Sequence, residues 1–238
     1  MLGLGAVAYA APVQFTIQPS LNSLELIGSL GGNTLFDQTP DSRRAAVEGA
    51  INADVTFNSF GQRRIQITSS VIDLMAQPFP QQPGLAGVAG TAAADYGAMT
   101  RPGQSGTGFL AVRDVRFNYR TVGTAPFPDN NTISFGSELA ATNVDLDFAT
   151  TMGTGSSGRR ELDGQTSSKS ECASIQTAGA FQTLTLQLSH VFRTGFFSTD
   201  DSTFIFDGTI VATRVVPEPA TLALLGGALM AAVRRRRA

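Results

Sequence analysis

Apolar and polar residues alternate along this chain with a period of two, and that pattern constrains its fold more than any other feature. Leu184, Leu186 and Leu188 alternate with Thr183, Thr185 and Gln187. Val144, Leu146 and Phe148 alternate with Asn143, Asp145 and Asp147, and Val115, Phe117 and Tyr119 with Arg116, Asn118 and Arg120. Successive side chains on a strand point to opposite faces, so each run reads as a strand with one apolar and one polar face. Val55 with Phe57 and Ile65 with Ile67 continue the pattern, and further strands are expected at 15–18, 24–30, 70–75, 132–135, 203–206 and 209–215. Turn-forming clusters such as Gly31-Gly32-Asn33 and Pro128-Asp129-Asn130 lie between them. The one helical expectation in the body is about two turns over 42–51. Many strands without alternating helices predict an all-β domain: a single antiparallel β-sandwich or flattened β-barrel of about ten strands over 11–216. The Pro/Gly/Ala-rich stretch 77–108 reads as a long surface loop, and the Gly/Ser-rich stretch 153–170 as a mobile polar loop.

The last 22 residues break the pattern. Val215-Val216 leads into Pro217, Glu218 and Pro219, and a run without charge then extends from Ala220 to Val233. Arg234, Arg235, Arg236 and Arg237 follow. The prolines stop any preceding strand, because each lacks an N–H and has a fixed φ. The apolar run predicts a short hydrophobic helix of roughly 20 Å, against about 30 Å for a full membrane span. The arginines would remain on the cytoplasmic side. An ordinary short tail anchor is the alternative reading of these parts.

In this order, at a C-terminus, the three parts resemble the PEP-CTERM protein-sorting signal of Gram-negative bacteria. The resemblance covers only the tail. It implies recognition by an exosortase through Pro217, Glu218 and Pro219. It also implies transient residence in the inner membrane through 220–233, with Arg234 to Arg237 as the basic cap of the signal, processing near the motif, and delivery to the cell surface or an exopolysaccharide matrix. The signal is shared among proteins whose bodies differ, so it implies nothing about the activity of this body.

Residues 1–10, MLGLGAVAYA, are apolar and end in Ala8-Tyr9-Ala10, an A-x-A type cleavage site. They read as the remnant of a secretory signal peptide, with Ala8 and Ala10 as the cleavage residues. A first β-strand is the alternative. The absence of a positive flank leads us to expect an in-frame upstream extension carrying Lys or Arg.

Composition excludes several functions. One cysteine forms no internal disulfide, and one histidine with one cysteine builds no zinc site. A net charge of −2 gives no general attraction to nucleic acid, so no nucleic-acid partner is expected. No cofactor or metal is expected either. The segment 153–158 fits G-x-G-x-x-G, but no helical periodicity follows it, so it reads as a loop. His190 continues the apolar face of Leu184, Leu186 and Leu188 and reads as a core or rim residue. Asp145 and Asp147 could in principle serve glycoside hydrolysis. However, they fall opposite Val144, Leu146 and Phe148 and read as a solvated face. Cys172 reads as an incidental thiol in the mobile polar loop, and Asp200-Asp201 as a turn. Asn130-Asn131-Thr132 forms a sequon that reads as coincidental. The chain has no Trp, three Tyr and 16 Phe, which weakens the case for a glycan-stacking face. Together these readings predict an exported, non-enzymatic surface or matrix protein. Two alternatives stay open: a β module holding a glycan or lipid-like ligand, and a carboxylate-dependent secreted hydrolase.

Overall fold

A computed structural model describes residues 11–57, 62–77, 93–101, 107–126, 132–150, 156–196 and 200–216. Among these residues the chain forms fourteen strands and a single 3-10 turn, Pro19–Leu21. The strands are β1 (Ala11–Ile17), β2 (Ser23–Leu30), β3 (Asn33–Thr34), β4 (Phe36–Asp37), β5 (Arg44–Phe57), β6 (Arg63–Leu74) and β7 (Tyr96–Thr100). They continue with β8 (Gly108–Thr121), β9 (Ala125–Pro126), β10 (Thr132–Thr150), β11 (Ser156–Glu161), β12 (Thr166–Ala178), β13 (Phe181–Thr194) and β14 (Ser202–Val215).

All pairings are antiparallel, and the long strands close a ring. β10 pairs β12, then β13, β14, β5, β6 and β8 follow, and β8 pairs back onto β10. Between β14 and β5 the ring position is shared. β1 fills one part of it and β2 the other. The ring is therefore uneven, with β4, β7, β9 and β11 attached to it. Of the two architectures expected, this is the barrel-like one.

The core lies inside the ring. Phe117 stacks on Phe192 at 5.8 Å and meets Phe206 edge-on at 4.8 Å, and Tyr96 packs on Phe206 at 5.9 Å. These rings pack against one another inside the ring of strands. The outward residues of β13 include Thr183, Thr185, Gln187 and Arg193, so the polar face looks out. A barrel that spans an outer membrane places its apolar face outward.

Several elements differ from the sequence expectation. No helix forms over 42–51: Ser42 and Arg43 lie in a turn, and 44–51 belong to β5, because Ala45, Val47 and Ile51 face the core at strand spacing. Residues 153–170 do not form a mobile loop over their described part. β11 and β12 run as one bent strand along β10, interrupted at 162–165. Thr166 to Ser170 are polar and largely exposed, yet their backbone pairs with β10. The 77–108 stretch contains β7, an interior strand between β4 and β8. The expected tail helix, the N-terminal signal segment and the turn at 128–130 lie outside the described residues.

Glycine permits close backbone approach between strands, as at Gly49. Gly49, at φ 127, sits inside β5 where a Cβ would land on the Val71 carbonyl of β6.

Candidate functional site

The ring reaches almost to the Pro-Glu-Pro segment. Phe181 and Val215 are register partners at the last step of the β13–β14 ladder, and Val216 N–H donates to the Ala180 carbonyl at 2.7 Å. Pro217 follows directly. The start of β1 lies at the same end, since Thr16 pairs Thr213 and the strand runs back from there to Ala11. Pro217, Glu218, Pro219, the four terminal arginines, Ala8 and Ala10 all lie outside the described residues.

Inside the ring is a buried polar cluster. His190 is fully buried, as the alternation of β13 predicts, and its Nε2 lies 3.0 Å from Glu171 Oε1. Glu171 also accepts the Ser137 hydroxyl at 3.0 Å and Ser189 N–H at 2.9 Å. The Tyr119 ring stands edge-on to His190 at 6.3 Å, and burial, with Glu171 nearby, pushes its hydroxyl pKa up. The wall beside this cluster is a seam. Backbone pairing of β12 with β13 runs from Ala178–Phe181 only as far as Ala173–Leu186. Beyond it side chains take over: Ser167 accepts Val191 N–H at 3.2 Å and Lys169 donates to the Ser189 carbonyl at 3.0 Å. An acid and an imidazole are in contact here, but neither reaches solvent.

A second cluster sits on the outer face. The expectation of a solvated Asp145–Asp147 face is overturned for Asp147, which is 1% exposed and paired to Arg113, itself buried. Arg159 from β11 donates to Asp147 at 2.7 and 2.9 Å and lies 2.8 Å from Asp145. The cause is β11, which covers this face from the far edge of β10. Burial raises the Asp145 pKa while Arg159 opposes the rise, and the bonds to Asp147 raise that of Arg159. Two guanidinium groups therefore occupy the carboxylate oxygens a hydrolytic pair would need.

A third acid stands apart. Asp95 is buried and accepts Val115 N–H at 2.7 Å, beside Asp114, whose φ of 53° lies in the left-handed region. Burial pushes its pKa up to about 6, against the backbone bond that lowers it.

The remaining candidates are simpler. Cys172 is on β12 and half-buried, not in a loop. Asp201 accepts Phe196 N–H at 2.8 Å, and Asp200 has φ 56, as a turn requires. The described part of the glycine-rich segment 153–158 opens β11, a strand, whereas a dinucleotide site needs a helix there. Among the described residues no group of three His, Cys, Asp or Glu side chains is placed to hold a metal. Sequence reading did not single out Glu171, Arg113 or Arg159. Glu171 was within reach, because it keeps phase with Ala173 and Ile175 on the buried face of β12.

Comparison with known families places the terminal segment. A model described as the PEP-CTERM protein-sorting motif matches residues 215–237. The chain carries a PEP-CTERM sorting motif. The match begins on the last residue of β14, so the motif and the ring abut. A PEP-CTERM motif implies an exported, membrane-anchored protein processed by an exosortase. No curated protein and no solved structure matches the chain.

Proposed function

We propose that this PEP-CTERM protein is a non-enzymatic component of the cell surface or the surrounding matrix. An exosortase would act near Pro217, Glu218 and Pro219 and release the ring from its membrane tail. The reading is carried by the sorting motif joined directly to a ring that packs an apolar core. The condition of the candidate chemical groups supports it. The Asp145–Asp147 pair is held by Arg159 and Arg113, and His190 with Glu171 is sealed inside the wall. Residence in an exopolysaccharide matrix would use the polar outer face, which offers hydroxyl and amide side chains rather than aromatic platforms. Export through an N-terminal signal ending at Ala8-Tyr9-Ala10 belongs to the same proposal.

The test is the intact mass of the native protein in membrane, surface and medium fractions of the producing cell. The expected result is surface or medium material that has lost the segment after Pro219 or its vicinity. Full-length protein confined to the inner membrane would overturn the release step, and a cytoplasmic pool with the intact tail would overturn the whole reading.

A further inference from the structure

We propose that the end of the ring from which the tail leaves is a docking surface for an anionic lipid bilayer. The inference rests on the anchored tail of the previous section and adds that the folded body itself touches the membrane before release. Three observations converge on it.

The first is distance. Only Val216 to Pro219 separate β14 from the apolar run that starts at Ala220. Fully extended, that link spans at most about 14 Å. A tail seated in the bilayer therefore holds this end of the ring against the headgroups.

The second is exposed apolar surface at that end. Phe181 is 56% exposed and Val215 is 66% exposed, and they are register partners on adjacent strands. Pro12 and Val13 of β1 line the same shallow cleft as Phe181, Arg214 and Val215. No core contact explains Phe181. Its neighbours along β13 at Gln182 and Leu184 are buried, and Phe181 is the residue at which the strand leaves the hairpin.

The third is charge. Arg214 lies over the Phe15 ring at 5.3 Å and is bonded to Gln182 at 2.7 Å, which holds its guanidinium at this end. Arg63 and Arg64 begin β6 here, paired with the end of β5, whose Val55 in turn pairs Ala11. Burial, and then the positive charge of Arg63, lowers the Arg214 pKa, so these two cations sit within each other's field. Asp54 is the nearby carboxylate on β5. An apolar edge flanked by arginines is the pattern that seats a surface on acidic headgroups.

The chain has no tryptophan, so single-Trp variants of the full-length protein report position directly. The probe is a vesicle of phosphatidylethanolamine and phosphatidylglycerol doped with brominated lipid. Four variants are compared: Phe181→Trp and Val215→Trp at the rim, Phe36→Trp on β4, and Leu225→Trp in the tail. Phe36 is 46% exposed and belongs to the opposite end of the molecule, so it serves as the control. Leu225→Trp, Phe181→Trp and Val215→Trp should be quenched, with emission shifted to the blue, and Phe36→Trp should not. Arg63→Glu with Arg64→Glu should reduce rim quenching several-fold while leaving Leu225→Trp quenched. If Leu225→Trp is quenched and both rim variants behave like Phe36→Trp, the docking surface is overturned and the anchored tail stands. If Leu225→Trp is not quenched, the anchored tail fails; rim quenching alone would then still support the surface, and its absence would overturn both.

Discussion

The two buried ionic clusters of this ring make an instructive pair. The outer one, Asp147 with Arg113 and Arg159, places a carboxylate between two fixed cations. The inner one surrounds the Glu171 carboxylate with the His190 imidazole, the Ser137 hydroxyl and the Ser189 N–H. Both carboxylates are withdrawn from water. They differ in what is left behind when the charge is removed. Loss of Asp147 takes a carboxylate from a buried guanidinium that has no neutral form to fall back on. Loss of the Glu171 charge leaves hydrogen-bond donors that an amide oxygen can still serve. The cost of a buried ion thus depends on its partner's chemistry as much as on its own burial.

The largest effect should come from Asp147→Ala. It should lower unfolding free energy by about 3–5 kcal/mol in denaturant titration, because buried Arg113 and half-buried Arg159 both lose the carboxylate they share. Replacing Arg113 and Asp147 together by apolar residues should recover much of that loss. A double variant as unstable as the single one would show that the pair contributes through shape rather than charge.

Asp95 should report next, through pH. Its folded pKa of about 6 exceeds the ordinary 3.8, so the folded state binds the proton more tightly than the unfolded one. The associated stability is fully present below pH 3.8 and is lost as pH rises through 6. Asp95→Asn should therefore raise stability above pH 6, by up to about 3 kcal/mol, and change little near pH 3. Equal effects at both pH values would contradict the assignment.

Glu171→Gln should cost only about 1 kcal/mol, since the amide oxygen still accepts from Ser189 N–H or the Ser137 hydroxyl. A loss as large as that of Asp147→Ala would erase the distinction between the clusters. The smallest effect belongs to the exposed pair Arg120–Glu138, 2.6 Å apart. Arg120→Ala should change stability by less than about 1 kcal/mol in the same titration and less still at high salt.

The strand content was legible because alternation is a local property. β13 shows why: Leu184, Leu186, Leu188, His190 and Phe192 keep one phase along its whole length. β8, β10 and β6 show where legibility stops. In β8 the buried residues change from Leu110 and Val112 to Val115, Phe117 and Tyr119, with Asp114 at φ 53 between them. In β10 they change from Leu139 and Ala141 to Val144 and Leu146, and in β6 from Ile65 and Ile67 to Ser70 and Ile72. Register shifts accompany the changes in β10 and in the β5–β6 ladder. A bulge inserts one residue and swaps the faces, so one long strand reads locally as two short ones.

The sequence by itself determined the all-β class, the inward place of His190 and the sorting tail, because each is written in contiguous residues: a period of two, or three signals in order. Only the tertiary structure decided that the ring closes, that β11 and β12 pair along β10, and that Asp147 is buried against Arg113 and Arg159. Those outcomes depend on which strand edge meets which, over separations such as the 34 residues between Arg113 and Asp147. Burial of a charge is settled by the partner that arrives from elsewhere in the chain, and no local pattern of residues carries that information.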